Sequence, residues 1–269
     1  MTRNTISRLL AAATATATAI AFFMPSSWAG PNFEPISLYA RSQRSSTFDG
    51  CKDQFPDKIP IALNSVGPAW KPRGLCSDGF ANLYSGRSKT PLVLVERLNR
   101  DLLLEAKGRR RTDDFYPDPR LPNSERSNLA DFKNSGFDRG HMAAAGNAYS
   151  ENAMAQSFAL SNMVPQDRVN NQKVWNKVEQ DTRKYVMRAA GDVFVFTGPL
   201  FDVGFSTMGH GNVYVPSRLF KLVYDQSSNR AWAFVLPNTA DARLGRPISY
   251  PEFVRQTGWK LLNGLEVRP

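Results

Sequence analysis

Two histidines occur in the 269-residue sequence, His141 and His210, so any imidazole chemistry falls on one of them. Cysteines also number two, Cys51 and Cys76. That scarcity excludes a multi-histidine zinc centre, because two cysteines joined in a bridge cannot complete one. His210 lies in Met208-Gly209-His210-Gly211, with no motif around it, and reads as a loop residue. His141 lies in Phe137-Asp138-Arg139-Gly140-His141-Met142-Ala143. An imidazole with a pKa of about 6.5 can take a proton from water at neutral pH, which makes His141 the candidate general base. On a strand, Arg139 shares a face with His141, although Gly140 between them can distort the alternation. A guanidinium placed there can clamp two oxygens of an anion. Asp138 alternates to the other face and reads as a structural hydrogen-bond acceptor.

Further blocks follow in order: Leu160-Ser161-Asn162, then Pro165-Gln166, then Asn171 and Glu179 on the next helix. With Asp138-Arg139-Gly140-His141 they resemble the DNA/RNA non-specific endonuclease family, the ββα-metal group of secreted bacterial nucleases and mitochondrial endonuclease G. The detailed match runs from about Arg111 to Gly198, and the arm before Leu92 aligns with nothing. The resemblance implies metal-dependent hydrolysis of DNA and RNA phosphodiesters without strong sequence preference, leaving 5′-phosphate ends. It implies Mg²⁺, with Mn²⁺ as an alternative, held by Asn171, with Glu179 and Asn162 acting through water. It implies catalytic roles for His141, Arg139 and Glu179, and phosphate contacts from Arg139 and an upstream arginine. Arg111, ahead of Phe115 and Asp118-Pro119, is the best match for that arginine, and Arg110 is its rival. Gln166 and Trp175 fit the pattern but read as packing residues.

The elements that must position these groups follow from periodicity. Pro91 to Leu98 is β-branched and reads as a buried strand. Asn170 to Ala190 carries an apolar stripe of helical period through Val174, Val178, Tyr185 and Val186, with Gly191 as its C′ residue. Val193 to Gly198, Val213 to Tyr224 and Ala231 to Leu236 read as strands, the last two joined by a hairpin loop over 225–229. Arg109 to Phe137 reads as a long surface loop with short helical pieces. Strands and helices do not alternate strictly, which favours an α+β fold: a mainly antiparallel central sheet flanked by helices, with a ββα-metal motif.

Arg3 and Arg8, an apolar Leu9–Met24 stretch and Ser27-Trp28-Ala29 read as a signal peptide over 1–29, with export to the periplasm or beyond the cell. Residues 30–269 then form one endonuclease domain, opening with an irregular arm over 30–81. No later segment is long and apolar enough to span a membrane. In an exported chain Cys51 and Cys76 form one disulfide, worth about 3 kcal/mol through the loop it closes. The net charge is +10, and loss of Arg3 and Arg8 with the signal leaves +8. Such a balance, with the Lys107-Gly108-Arg109-Arg110-Arg111 cluster, suits a nucleic-acid partner. Two other readings fit part of this pattern: an exported protein that binds nucleic acid without cutting it, and a phosphodiesterase of small nucleotides. A homodimer and a protein inhibitor are open at this level.

Overall fold

The phenylalanines and valines of Val193-Phe194-Val195-Phe196 leave their strand on opposite sides, as a two-residue period requires. Phe194 and Phe196 join Phe220, Leu222, Phe253 and Trp259 in one core, while Val193 and Val195 join Leu103, Val186 and Val223 in another. A strand with cores on both faces is apolar almost throughout, and Val193-Phe194-Val195-Phe196 is. The computed structural model describes residues 46–262 and 264–268, all within the unit Pro31–Pro269. The expected signal peptide and the first part of the expected arm lie outside the described residues.

In chain order the strands are β1 (Pro72–Cys76), β2 (Ala81–Ser85), β3 (Thr90–Leu98), β4 (Phe137–His141), β5 (Met163–Asp167) and β6 (Val193–Leu200), then β7 (Thr207–Met208), β8 (Val213–Tyr214), β9 (Arg218–Asp225), β10 (Arg230–Pro237) and β11 (Ile248–Ser249). The helices are α1 (Arg100–Ala106), α2 (Leu129–Phe132), α3 (Glu151–Ser157), α4 (Asn176–Val186) and α5 (Tyr250–Thr257). Seven strands form one antiparallel sheet in the order β1-β2-β3-β6-β9-β10-β11. One face is covered by α5 and by turns of the 46–70 segment, through Phe48, Phe55 and Trp70. The other receives β4, β5 and α4, where Val164, Trp175 and Val178 pack on Leu94 and Leu219. The α+β reading, with a mainly antiparallel sheet flanked by helices, is the observed fold. No helix among the described residues is long and apolar enough to cross a membrane.

Three local expectations need correcting. The arm expected to be irregular as far as Ala81 contains edge strand β1, whose pattern is masked by Pro72 and Gly74. A proline is tolerated there because it opens an edge strand. The single strand expected over Val213–Tyr224 is two, β8 and β9, since Pro216 between them has no N–H to give a ladder. The helix expected over 170–190 begins as a π-helical turn, Asn170–Trp175, and α4 proper ends at Val186, so Gly191 is not its C′ residue. Cys51 and Cys76 form a disulfide with Cα atoms 5.6 Å apart, tying the 46–54 segment to β1.

Candidate active site

β4 and β5 pair antiparallel, with His141 opposite Met163, Gly140 opposite Val164 and Asp138 opposite Gln166. Gly140 is required by close approach: a Cβ there would lie 2.1 Å from Gln166 Oε1 and 2.6 Å from its Cβ. β5 runs directly into the π-turn and α4, so β4, β5 and α4 form a ββα unit on the face of the main sheet. The wide turn is fixed by Asn170. Its N–H donates to Asp167 Oδ1, its Oδ1 accepts from Gln166 Nε2, and its Nδ2 donates to the Pro237 carbonyl. Side-chain bonds of this kind explain why a π-turn stands where plain α-helix was expected.

A cleft of about 750 Å³ opens at the junction, walled by Arg111, Arg139, His141, Asn171, Glu179 and Arg183 among others. Arg139 and His141 both reach it, as their spacing on β4 requires. His141 is buried, 8% exposed, and is held edge-on by the rings of Phe115 and Phe158, at 5.7 and 5.0 Å between centroids. The imidazole hydrogen-bonds to the Arg139 backbone, and its Nε2 has no protein partner. Burial, and then the Arg111 charge, lower the His141 pKa to about 3, so the ring is neutral at pH 7. Arg139 lies over the Phe115 ring at 4.2 Å, and Arg111 over Phe158 at 5.0 Å. The segment carrying Arg111 and Phe115 is anchored next door. Tyr116 exchanges backbone hydrogen bonds with Phe158 and Leu160, and Asp118 accepts from Arg120 and Ser161.

Asp138 is the hydrogen-bond acceptor expected, but not on a face turned away from the site. It reaches the cleft edge, where Oδ2 accepts from Asn171 Nδ2 and Gln172 Nε2, each at 3.0 Å, and Oδ1 accepts from Arg168 Nε at 3.2 Å. Burial works to raise its pKa, but these bonds prevail and hold the carboxyl below its ordinary value. With Nδ2 engaged by Asp138, Asn171 keeps its amide oxygen for another partner. Glu179 is half-buried on the same helix, and burial raises its pKa against the pull of Lys221, Arg183 and Arg111.

Asn162 sits elsewhere than expected. It is fully buried and absent from the cleft wall. Its Oδ1 accepts from the Ala143 N–H, and its Nδ2 donates to the Ala143 and Ser157 carbonyls. With every side-chain atom engaged, it braces the backbone just after His141. Trp175 and Gln166 are buried packing residues, and His210 is an exposed loop residue. Arg110 lines only the neighbouring groove, whereas Arg111 lines the cleft itself. Among the described residues no group of three or more histidines, cysteines or carboxylates gathers to hold a metal.

Sequence reasoning missed Arg183 and Asn147, although Arg183 stands one helical turn after Glu179, a spacing that could have flagged it. Arg183 NH1 donates to Asn147 Oδ1, and Asn147 Nδ2 donates to Glu96 Oε1. Glu96 is buried, and burial raises its pKa to about 7.

A neutral imidazole among the guanidiniums of Arg111, Arg139 and Arg183, beside the Asn171 amide and the Glu179 carboxylate, can bind an anion and activate water. Similarity to known proteins decides the family: the DNA/RNA non-specific endonuclease model matches residues 63–267. The chain belongs to the DNA/RNA non-specific endonuclease family. It is 35% identical over 182 residues to human mitochondrial nuclease EXOG, covering 61% of this chain and 49% of that one. It is 35% identical over 175 residues to human mitochondrial endonuclease G, covering 60% and 58%. Nuclease C1 of Cunninghamella echinulata is 38% identical over 179 residues, covering 61% and 70%. The chain thus spans about half the length of the EXOG nucleases it matches. A crystal structure of the EndoG/EndoGI complex superposes with a TM-score of 0.66 at 25% identity, covering 72% of this chain and 88% of that one. These relatives of the endonuclease family correct the expectation of a periplasmic or secreted protein, because most of those matched are named as mitochondrial nucleases.

Proposed function

We propose that this chain is an endonuclease that hydrolyses phosphodiester bonds in DNA and RNA, with His141 as general base. The observation that carries the reading is the buried, neutral His141, whose unpartnered Nε2 shares a cleft with Arg111 and Arg139. His141 takes the proton of a water that attacks phosphorus in line with the 3′-oxygen. Arg139 and Arg111 hold the non-bridging oxygens and stabilise the charge that grows on them. An anion seated there offsets the two cations that depress the imidazole pKa, so the base strengthens as substrate arrives. The phosphorus–O3′ bond breaks, and the departing 3′-oxygen takes a proton from solvent water in the open cleft, leaving 5′-phosphate and 3′-hydroxyl ends. None of these contacts reads a base edge, which accords with low sequence preference.

The residues present fit a divalent metal of the hard kind. The Asn171 amide oxygen and the Glu179 carboxylate are hard donors in one cleft, and magnesium accepts few protein ligands. Asn171 would hold the ion directly and Glu179 through water. Bound there, Mg²⁺ or Mn²⁺ would supply positive charge to polarise the phosphate and stabilise the departing oxygen.

A second groove of about 820 Å³, lined by Lys107 to Thr112, shares Arg109, Arg111 and Met154 with the cleft. That continuity favours a long polyanion over a small nucleotide. The test is cleavage of plasmid and of RNA by purified protein, with Mg²⁺ and with excess chelator, beside a His141→Ala variant. Cutting should require the metal and fall at least 100-fold in the variant, with binding retained. A variant keeping more than about a tenth of the rate would remove His141 from the role.

A further inference from the structure

With 3.6 residues per turn, Glu179 and Arg183 lie on one side of α4 while Asp181, Tyr185 and the following Arg188 lie on the other. The far side closes a separate cavity of about 370 Å³ against β10 and the C-terminal segment. Its floor is aromatic: Trp232 and Tyr185 pack edge to face at 4.5 Å between centroids, and Phe234 continues the surface along β10. All three are half-buried, so the cavity offers ring surface to a ligand. Around this floor stand Arg188, Arg230 and Arg268, all exposed. Among the described residues none of the three is ion-paired. Arg268 is brought beside Arg230 by a backbone bridge and by donating its N–H to the Asn229 carbonyl. The one carboxylate in the wall, Asp181, is already engaged by Lys177 and Lys184.

An apolar aromatic floor under unpaired guanidiniums matches a ligand that joins flat rings to phosphates. Acidic peptides supply the charge but not the rings. Duplex DNA hides its ring faces in the stack. Unpaired polynucleotide supplies both, since stacking on aromatic side chains and phosphate contacts with arginine are how single strands are held.

We propose that this cavity is an exosite for single-stranded DNA or RNA, in which Trp232 stacks on a base and Arg188, Arg230 and Arg268 contact the flanking phosphates. A strand held behind α4 would raise the local concentration of cleavable strand at the cleft on its other side. The proposal takes its ligand class from the nuclease reading, but it is tested by binding and does not need cleavage to be observed.

The experiment uses the full chain in excess chelator, with anisotropy of labelled single strands of about 6 and about 30 nucleotides and of a 30-base-pair duplex. Trp232→Ala should weaken binding of the long single strand about tenfold, the effect of one lost stack, and leave the duplex unchanged. The double variant Arg188→Gln, Arg230→Gln changes only exposed side chains, so its fold does not depend on the Trp232 packing. It should flatten the long strand's log-affinity against log-salt slope by about 1.4, or about 0.7 for each contact. Cleavage of the 6-mer in Mg²⁺ should match wild type in both variants. Unchanged long-strand binding, equal losses on single strand and duplex, or equal competition by polyglutamate would each overturn the exosite. Failure of wild type to cut anything would overturn the nuclease reading and leave the binding result standing.

Discussion

At the scale of single residues, the cleft is governed by where charge is permitted. His141 is packed between Phe115 and Phe158 with Arg111 and Arg139 close by, and its pKa falls to about 3 by burial and then by the Arg111 charge. Arg111→Ala removes one depressing cation, so the free enzyme's imidazole should titrate at higher pH. The acid limb of kcat/KM, which reports the free enzyme, should move up in pH while the alkaline side stays in place. An acid limb that stays where it is in wild type would mean that burial alone sets the base. The same shift has a stability consequence of fixed sign. Above about pH 6.5 both folded and unfolded chains hold His141 neutral; below it the unfolded chain binds a proton that the native state refuses until about pH 3, so native stability falls across that window. At pH 5 the loss is about 2 kcal/mol. Urea melts at pH 7 and pH 5 should show it in wild type, and His141→Gln should lose that much less between the two.

At the scale of elements, the site depends on two side chains that hold others still. Asp138 turns the Asn171 amide by accepting its Nδ2, so Asp138→Ala frees that amide to rotate. The Mg²⁺ concentration for half-maximal cleavage should rise at least tenfold, the range seen when groups behind metal ligands are lost, while the melting temperature moves little. A wild-type metal titration would leave Asp138 a spectator. Asn162 acts on backbone: Asn162→Ala strips the Ala143 N–H and two carbonyls of their partner in a buried place, which should cost about 3 kcal/mol in urea unfolding. Much of this unit was legible beforehand. Asp138-Arg139-Gly140-His141, the helix bearing Asn171 and Glu179, and the long strands β3, β6 and β10 all carry dense local signals. What stayed hidden depends on partners distant in sequence. Asn162 looks the same as a water-shell residue or as a brace until Ala143 is seen beside it. The π-turn rests on Asn170 meeting the Pro237 carbonyl, 67 residues away. The Arg183–Asn147–Glu96 chain joins three segments that no periodicity links.

At the scale of the whole molecule, Lys107, Arg109, Arg110 and Arg111 line the groove that continues the cleft, and Arg139, Arg168 and Arg183 stand with Arg109 and Arg111 in the cleft wall, so cationic side chains run through both. A polyanion entering there displaces condensed counterions, so log affinity should fall linearly with log salt, by about 0.9 for each phosphate contact on duplex DNA. The fold separates the two arginines that sequence left as rivals. Arg111 stands in the cleft wall over Phe158 and acts on His141, whereas Arg110 lines only the outer groove. Both substitutions to alanine should therefore flatten the salt slope by about 0.9, and do so equally on unrelated duplexes, because neither side chain reads a base. Only Arg111→Ala should also slow cleavage of a substrate too short to reach the outer groove. Binding is measured in chelator across a salt series, and rates are measured in Mg²⁺ on an oligonucleotide of about 6 nucleotides. If Arg110→Ala slows the short substrate and Arg111→Ala does not, the phosphate contact belongs to Arg110. A strong preference for one duplex over another would count against non-specific cutting, because phosphate contacts carry no direct base readout.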